Sequence, residues 1–126
     1  MPVGDALTQR QIDEIAAAAE VAAERCGLRF SVFVGGSDGE PAVFAERLLT
    51  ALGQDAPRSV VIHVDPAADR VEIVTGREAA SRLDDRACSL ATQSMTPSFK
   101  DGDIVGGVVT GLRVLGDAVF WRAASQ

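Results

Sequence analysis

Four acidic residues and two glycines mark where side chains of this chain could gather for chemistry. Asp55 precedes the β-branched run Val60–Val64, and Glu78, Asp84 and Asp85 follow a second run at Val71–Val74. If the second run folds back on the first, segments 53–58 and 76–85 meet at one edge of a sheet. Several carboxylates carried on loops are what a hard cation such as calcium or magnesium takes as ligands. The candidate metal ligands are therefore Asp55, Asp84 and Asp85, with Gly53, Gly76 and Glu78 beside them at the same edge. A metal held there would polarise a phosphoryl oxygen and activate water, so no side-chain nucleophile would be needed. There is no D-x-[DN]-x-[DN]-G loop, and solvated acids near the start of a helix, where its dipole favours them, are the plainer reading.

Other reactive types give weaker signals. His63, the one histidine, lies inside a strand with no nucleophile or orienting acid apparent in the sequence, so it reads as a structural histidine capped by a hydrogen bond. Gly35-Gly-Ser-Asp-Gly39 lacks both the P-loop pattern and G-x-G-x-x-G spacing, and reads as a flexible turn. Cys26 and Cys88 fall in separate predicted helices with no CxxC spacing, and are expected as reduced thiols. Gly102, Gly106, Gly107 and Gly111 put small residues along one side of the last helix, which points to close packing on a neighbour. No catalytic residue and no required cofactor emerge.

The totals bound the function. A chain of 126 residues, 47% hydrophobic and 24% charged, suits one globular domain with its own core. Aromatics are 5% and tyrosine is absent, so the core must be aliphatic and alanine-rich. The net charge is −6, and Lys100 is the one lysine among twelve basic residues facing eighteen acids. That balance argues against nucleic acid, whose phosphates need basic clusters. The longest apolar stretch, Ile104 to Trp121, is interrupted by Arg113 and Asp117, so no direct membrane insertion is expected. Met1–Ala6 has no basic start before an apolar run, so no signal peptide is expected and a cytoplasmic location is the default.

The elements that must position these residues follow from periodicity. Thr8-x-x-Gln11 matches a capping box, with Leu7 and Ile12 set as a hydrophobic staple. The helix it opens carries Ile12, Ile15, Ala16, Ala19, Ala22, Ala23 and Cys26 on one stripe and ends at Gly27. Leu28–Val34 is a first strand, and Pro41–Leu52 a second helix with Phe44, Leu48, Leu49 and Leu52 inside. Val60, Val61, Ile62 and Val64 read as a central strand covered on both faces. Pro66–Asp69 turns the chain into Val71–Val74, which pairs back as a hairpin. A third helix is expected over Arg77–Ser94, broken at Thr96-Pro97, and a last one over Asp103–Trp121. The fold class is α/β: a three-layer α/β/α sandwich with a small mixed sheet and the order α-β-α-β-β-α-α.

Leu7-Thr8, Gly27-Leu-Arg-Phe-Ser-Val32, Phe44-Ala-Glu-Arg-Leu48 and Asp69-Arg-Val-Glu-Ile73 with Gly76 resemble the TPM domain family. So do Leu83-Asp84-Asp85 and Pro97-x-Phe99-x-x-Gly102-Asp103 before Gly106-Gly107. The resemblance runs from about residue 7 to residue 115, one domain within 1–126, and is closest to short actinobacterial members of no assigned function. It implies an α/β/α sandwich, and in some members acid phosphatase activity with calcium binding. Where that family carries a G-x-G turn and an Asp-Asn-Gly-like segment, this chain reads Gly53-Gln-Asp-Ala-Pro-Arg58. The expected function is a soluble, non-catalytic protein-interaction module with an unknown partner. The alternative is a calcium- or magnesium-dependent phosphatase.

Overall fold

The computed structural model describes residues 7–124. Met1–Ala6, on which the expectation of no signal peptide rests, lie outside the described residues. The elements in order are α1 (Gln9–Cys26), β1 (Arg29–Val34), α2 (Pro41–Thr50), a 3₁₀ helix (Gly53–Arg58), β2 (Ser59–Asp65), β3 (Arg70–Thr75), α3 (Arg77–Ala80), α4 (Asp85–Lys100) and α5 (Ile104–Ala124). The fold is mixed α/β, built on one three-stranded sheet of order β1-β2-β3.

β2 is the organising strand, and all seven of its residues are buried. It pairs parallel with β1 (Val32 opposite Ile62) and antiparallel with β3 (Ile62 opposite Ile73). Alternation then sends Val60, Ile62 and Val64 to one face, with Phe30, Val32, Val34, Val71 and Ile73 alongside. These meet Ile15, Ala22 and Cys26 of α1, Ala91 and Met95 of α4, and Val108, Leu112, Leu115 and Val119 of α5 in one core cluster. On the opposite face Phe33 and His63 pack against Phe44 of α2, with ring centroids 5.1–5.4 Å apart.

Local signals set the ends of α1. The Thr8 hydroxyl accepts the Gln11 N–H (3.1 Å), while the Gln11 side chain accepts the Thr8 N–H (2.8 Å). Gly27 closes the helix in the left-handed region at φ 81° and donates to the Ala23 carbonyl (2.7 Å).

Three expectations needed correction. The helix expected over Arg77–Ser94 is two helices, because Asp84 is extended (φ −84°, ψ 176°) and its carboxylate caps the Ala87 N–H at 2.9 Å, starting α4 afresh. Pro97 does not end α4, which runs to Lys100. The turn beyond it is held from downstream, where Gly102 (φ 80°) donates to the Phe99 carbonyl (3.0 Å) and Asp103 N–H to Ser98 (2.8 Å). This Schellman arrangement offsets the bond that proline cannot make. Finally, α2 stops at Thr50 and the connector is a 3₁₀ helix; within α2 only Ala45 is fully buried, with Phe44, Leu48 and Leu49 half-buried.

Of the four glycines expected along the last helix, Gly107 and Gly111 pack against a neighbour as read. Gly102 instead lies in the turn before α5 with nothing within 4 Å of a Cβ there, and Gly106 meets the Asp103 side chain. A methyl group on Gly107 would overlap the Phe99 ring, and one on Gly111 would come 2.6 Å from the Met95 sulfur. Met95 and Phe99 are one turn apart on α4, so the two helices close knob into notch. By length and composition alone Ile104–Arg122 could cross a membrane, with a mean hydropathy of 1.5. In this fold its Val108, Leu112, Leu115 and Val119 fill the core.

Candidate functional site

Two regions carry the side chains of interest, and they lie at the sheet's first-strand edge and at the end where β1 and β2 begin. At that end, Gly76 lies so close to the 3₁₀ helix that a Cβ there would overlap the Ala56 carbonyl and Pro57 backbone. Its N–H donates to the Ser59 carbonyl (2.8 Å), which locks the exit of β3 onto the start of β2. Gly53 opens the 3₁₀ helix at φ 64°, a region that suits glycine. Segments 53–58 and 76–80 are thus neighbours.

Three of the four candidate acids face arginines. Asp55 faces Arg29 (3.7 Å), Glu78 faces Arg58 (3.9 Å), and Asp84 faces Arg122 (3.9 Å) besides capping α4. Asp85 lies in the first turn of α4. Among the described residues, no group of three His, Cys, Asp or Glu side chains is placed to hold a metal ion. Exposed pairs of this kind contribute little to stability, about 0–1 kcal/mol each, but they engage the oxygens a cation would need. Arg58 also donates to the Gly27 carbonyl (3.0 Å) and Arg82 to the Cys26 carbonyl (3.2 Å). Both satisfy the carbonyl end of α1, where its dipole favours cations. Sequence reading passed over these arginines because the partners they find are distant along the chain.

His63 is 2% exposed, and its Nε2 donates to the Gly35 carbonyl (2.8 Å) from between the Phe33 and Phe44 rings. Nδ1 has no partner. The bond ties the middle strand to the turn after β1, a structural role. Cys26 and Cys88 are free thiols.

The second region is a groove of about 840 Å³ between α1 and β1. Ile12, Ala16, Ala19 and Ala23 wall one side, and every residue from Arg29 to Val34 lines the other. Consecutive strand residues face opposite ways, so a cavity touching all six opens along the strand's free edge. The single stripe expected on α1 is therefore split. Ala22 and Cys26 enter the core, Ile12, Ala16 and Ala23 turn to the groove, and Ile15 and Ala19 lie at the boundary, touching both. The signal was the stripe's width, broader than one packed face needs.

With this geometry in hand, comparison with known proteins places the chain. The profile of the family described as a domain of unknown function, DUF5130, matches residues 2–116. The chain belongs to the DUF5130 family. Among its relatives are the uncharacterized proteins MT2543 and Rv2468c of two Mycobacterium tuberculosis strains, CDC 1551 / Oshkosh and ATCC 25618 / H37Rv. Each is 26% identical over 90 residues, covering 71% of this chain and 53% of the relative. The chain thus spans about half the length of these relatives.

Solved structures with a similar fold include the BA42 protein of Bizionia argentinensis (TM-score 0.81, 19% identity, 93% of this chain and 83% of that one). The N-terminal domain of a P. gingivalis protein follows at TM-score 0.76, with 18% identity over 92% and 78% of the two chains. The N-terminal domain of cg2496 from Corynebacterium glutamicum gives 0.72, with 17% identity over 88% and 72%. At these identities the likeness concerns the fold.

Proposed function

We propose that this DUF5130 domain is a protein-interaction module with no catalytic chemistry of its own, acting in the cytoplasm without contacting nucleic acid or inserting into a membrane. A TPM-like fold, with its layers read as an α/β/α sandwich, belongs to the same proposal. The observation that carries it is the groove between α1 and β1, a largely apolar trough whose wall holds a strand edge that pairs with no strand among the described residues. An exposed sheet edge beside an apolar wall is a recurring way for a domain to take up an extended peptide. The alternative reading, a calcium- or magnesium-dependent phosphatase using Asp55, Asp84 and Asp85, would have to draw Asp55 from Arg29 and Asp84 from its helix cap.

The test places a photoreactive amino acid at Ala19, in the groove, and separately at Glu46 on the exposed side of α2, in the source cells. A discrete protein adduct from Ala19 and none from Glu46 is expected. No adduct from Ala19 would refute the reading. So would phosphomonoester hydrolysis that depends on calcium or magnesium and is lost in Asp85→Asn.

A further inference from the structure

The groove has the shape of a missing strand. β1 pairs with β2 on one side and with no strand on the other among the described residues. Gly35 N–H donates inward to the Val64 carbonyl (2.9 Å). Since peptide groups of successive strand residues alternate in direction, Ser31 and Phe33 also bond inward, and Phe30, Val32 and Val34 aim their N–H and C=O groups into the groove. A helix is about 10 Å across and strands lie about 4.8 Å apart, so α1 has room to cover two strands. Beneath it lie β1 and the open trough. The small residues Ala16, Ala19 and Ala23 leave the space above the vacant position unfilled.

Charge then selects the occupant. Glu20 and Glu24 line the groove near the start of β1 and have no ion-pair partner among the described residues. The one cationic side chain in the lining, Arg29, is engaged by Asp55. A second copy of this chain is disfavoured, because it would bring a second net charge of −6 against the first.

We infer that the groove takes an extended segment of a partner protein as a fourth strand beside β1. Its apolar side chains, at alternate positions, lie under Ala16 and Ala19, and a Lys or Arg sits next to Glu20 and Glu24. Main-chain bonds to Phe30, Val32 and Val34 supply affinity, and the α1 wall supplies selectivity. This rests on the interaction-module reading and names the partner's chemistry.

The experiment is selection of a displayed random nonapeptide library on the full chain, followed by calorimetry and amide exchange with an enriched synthetic peptide. Enriched sequences should alternate apolar residues and carry a basic residue toward one end. Bound peptide should slow exchange of the Phe30, Val32 and Val34 amides. Binding should weaken about tenfold or more in Glu20→Lys with Glu24→Lys, and be lost in Ala19→Trp, with the melting temperature of each variant confirming that it folds. Enrichment of peptides without alternation, no enrichment, or protection elsewhere than β1 overturns the inference. So does a dimer in sedimentation that Ala19→Trp dissociates, which would make the occupant a second copy. If peptide selection fails while the Ala19 cross-link to a partner persists, strand addition falls and the interaction module stands; loss of both removes both.

Discussion

Gly76 shows how one missing carbon can hold an edge together. Its φ of −68° is open to any residue, so the constraint is space. A methyl group there would collide with the backbone of Ala56 and Pro57, which cannot rotate aside as a side chain can. Gly76→Ala should therefore destabilise by about 1–3 kcal/mol in urea denaturation. Gly36→Ala, with nothing within 4 Å of the new carbon, should be neutral or slightly stabilising, and equal effects at both sites would refute this account. The cysteines make a second residue-scale case. Burial pushes both thiols above their ordinary 9.0, and at Cys88 the charges of Asp85 and Asp84 add to it. The folded state holds the protonated thiol more tightly than the unfolded chain does. The resulting stability is present below pH 9.0 and is lost as pH climbs from there through the raised folded values. Urea midpoints taken on both sides of that window should fall less steeply in Cys26→Ala than in the wild type.

At the scale of elements, the α4–α5 corner is built from both directions. Gly102 and Asp103 close α4, and the Asp103 carboxylate also accepts the Gly106 N–H (2.9 Å), opening α5 one residue later. That tight corner sets Gly107 against Phe99 and Gly111 against Met95. Gly107→Leu should cost about 1–3 kcal/mol or more by overpacking. Gly116 is different, because a Cβ there would rest 3.6 Å from Ala22, an ordinary contact. Gly116→Ala should instead gain up to about 1 kcal/mol from helix propensity. Thermal melts of the two variants should move in opposite directions, and a shared direction would contradict the packing described.

For the whole molecule, the placement of charge predicts its response to cations. Asp55, Glu78 and Asp84 each face an arginine, so no crowd of bare carboxylates waits to be neutralised. A calcium ion bound at a hundredfold excess over its Kd would add about 2.7 kcal/mol, several degrees in melting temperature for a domain of this size. Millimolar calcium or magnesium should shift the melt far less than that. A clear rise that Asp85→Asn abolishes would return the metal-dependent reading to favour.

Much of the architecture was legible in the chain because the signals for it are local. The β-branched run at Val60–Val64, the turn at Pro66–Asp69 and the capping box at Thr8 each specify their own stretch, and all three stand in the structure. Glycine spacing likewise announced the close packing of α5, though not that Phe99 and Met95 fill the notches. Pro97 misled because its cost was read locally, while Gly102 and Asp103 restore the turn from beyond it. The charges of the acidic edge were legible, but not their partners: Arg29 and Asp55 stand far apart in sequence and meet only once β1 lies beside β2. The groove was hidden for the same reason. Periodicity reports which side of α1 is apolar; whether that side meets a core or an empty strand position depends on where the sheet stops. Sequence determined the three strands and the long helices, though not the break at Asp84 or the 3₁₀ helix before β2, because propensity, capping and turn chemistry act over a few residues. Only the tertiary structure decided which charges neutralise each other and which apolar surface stays open, because both depend on neighbours the chain brings together from a distance.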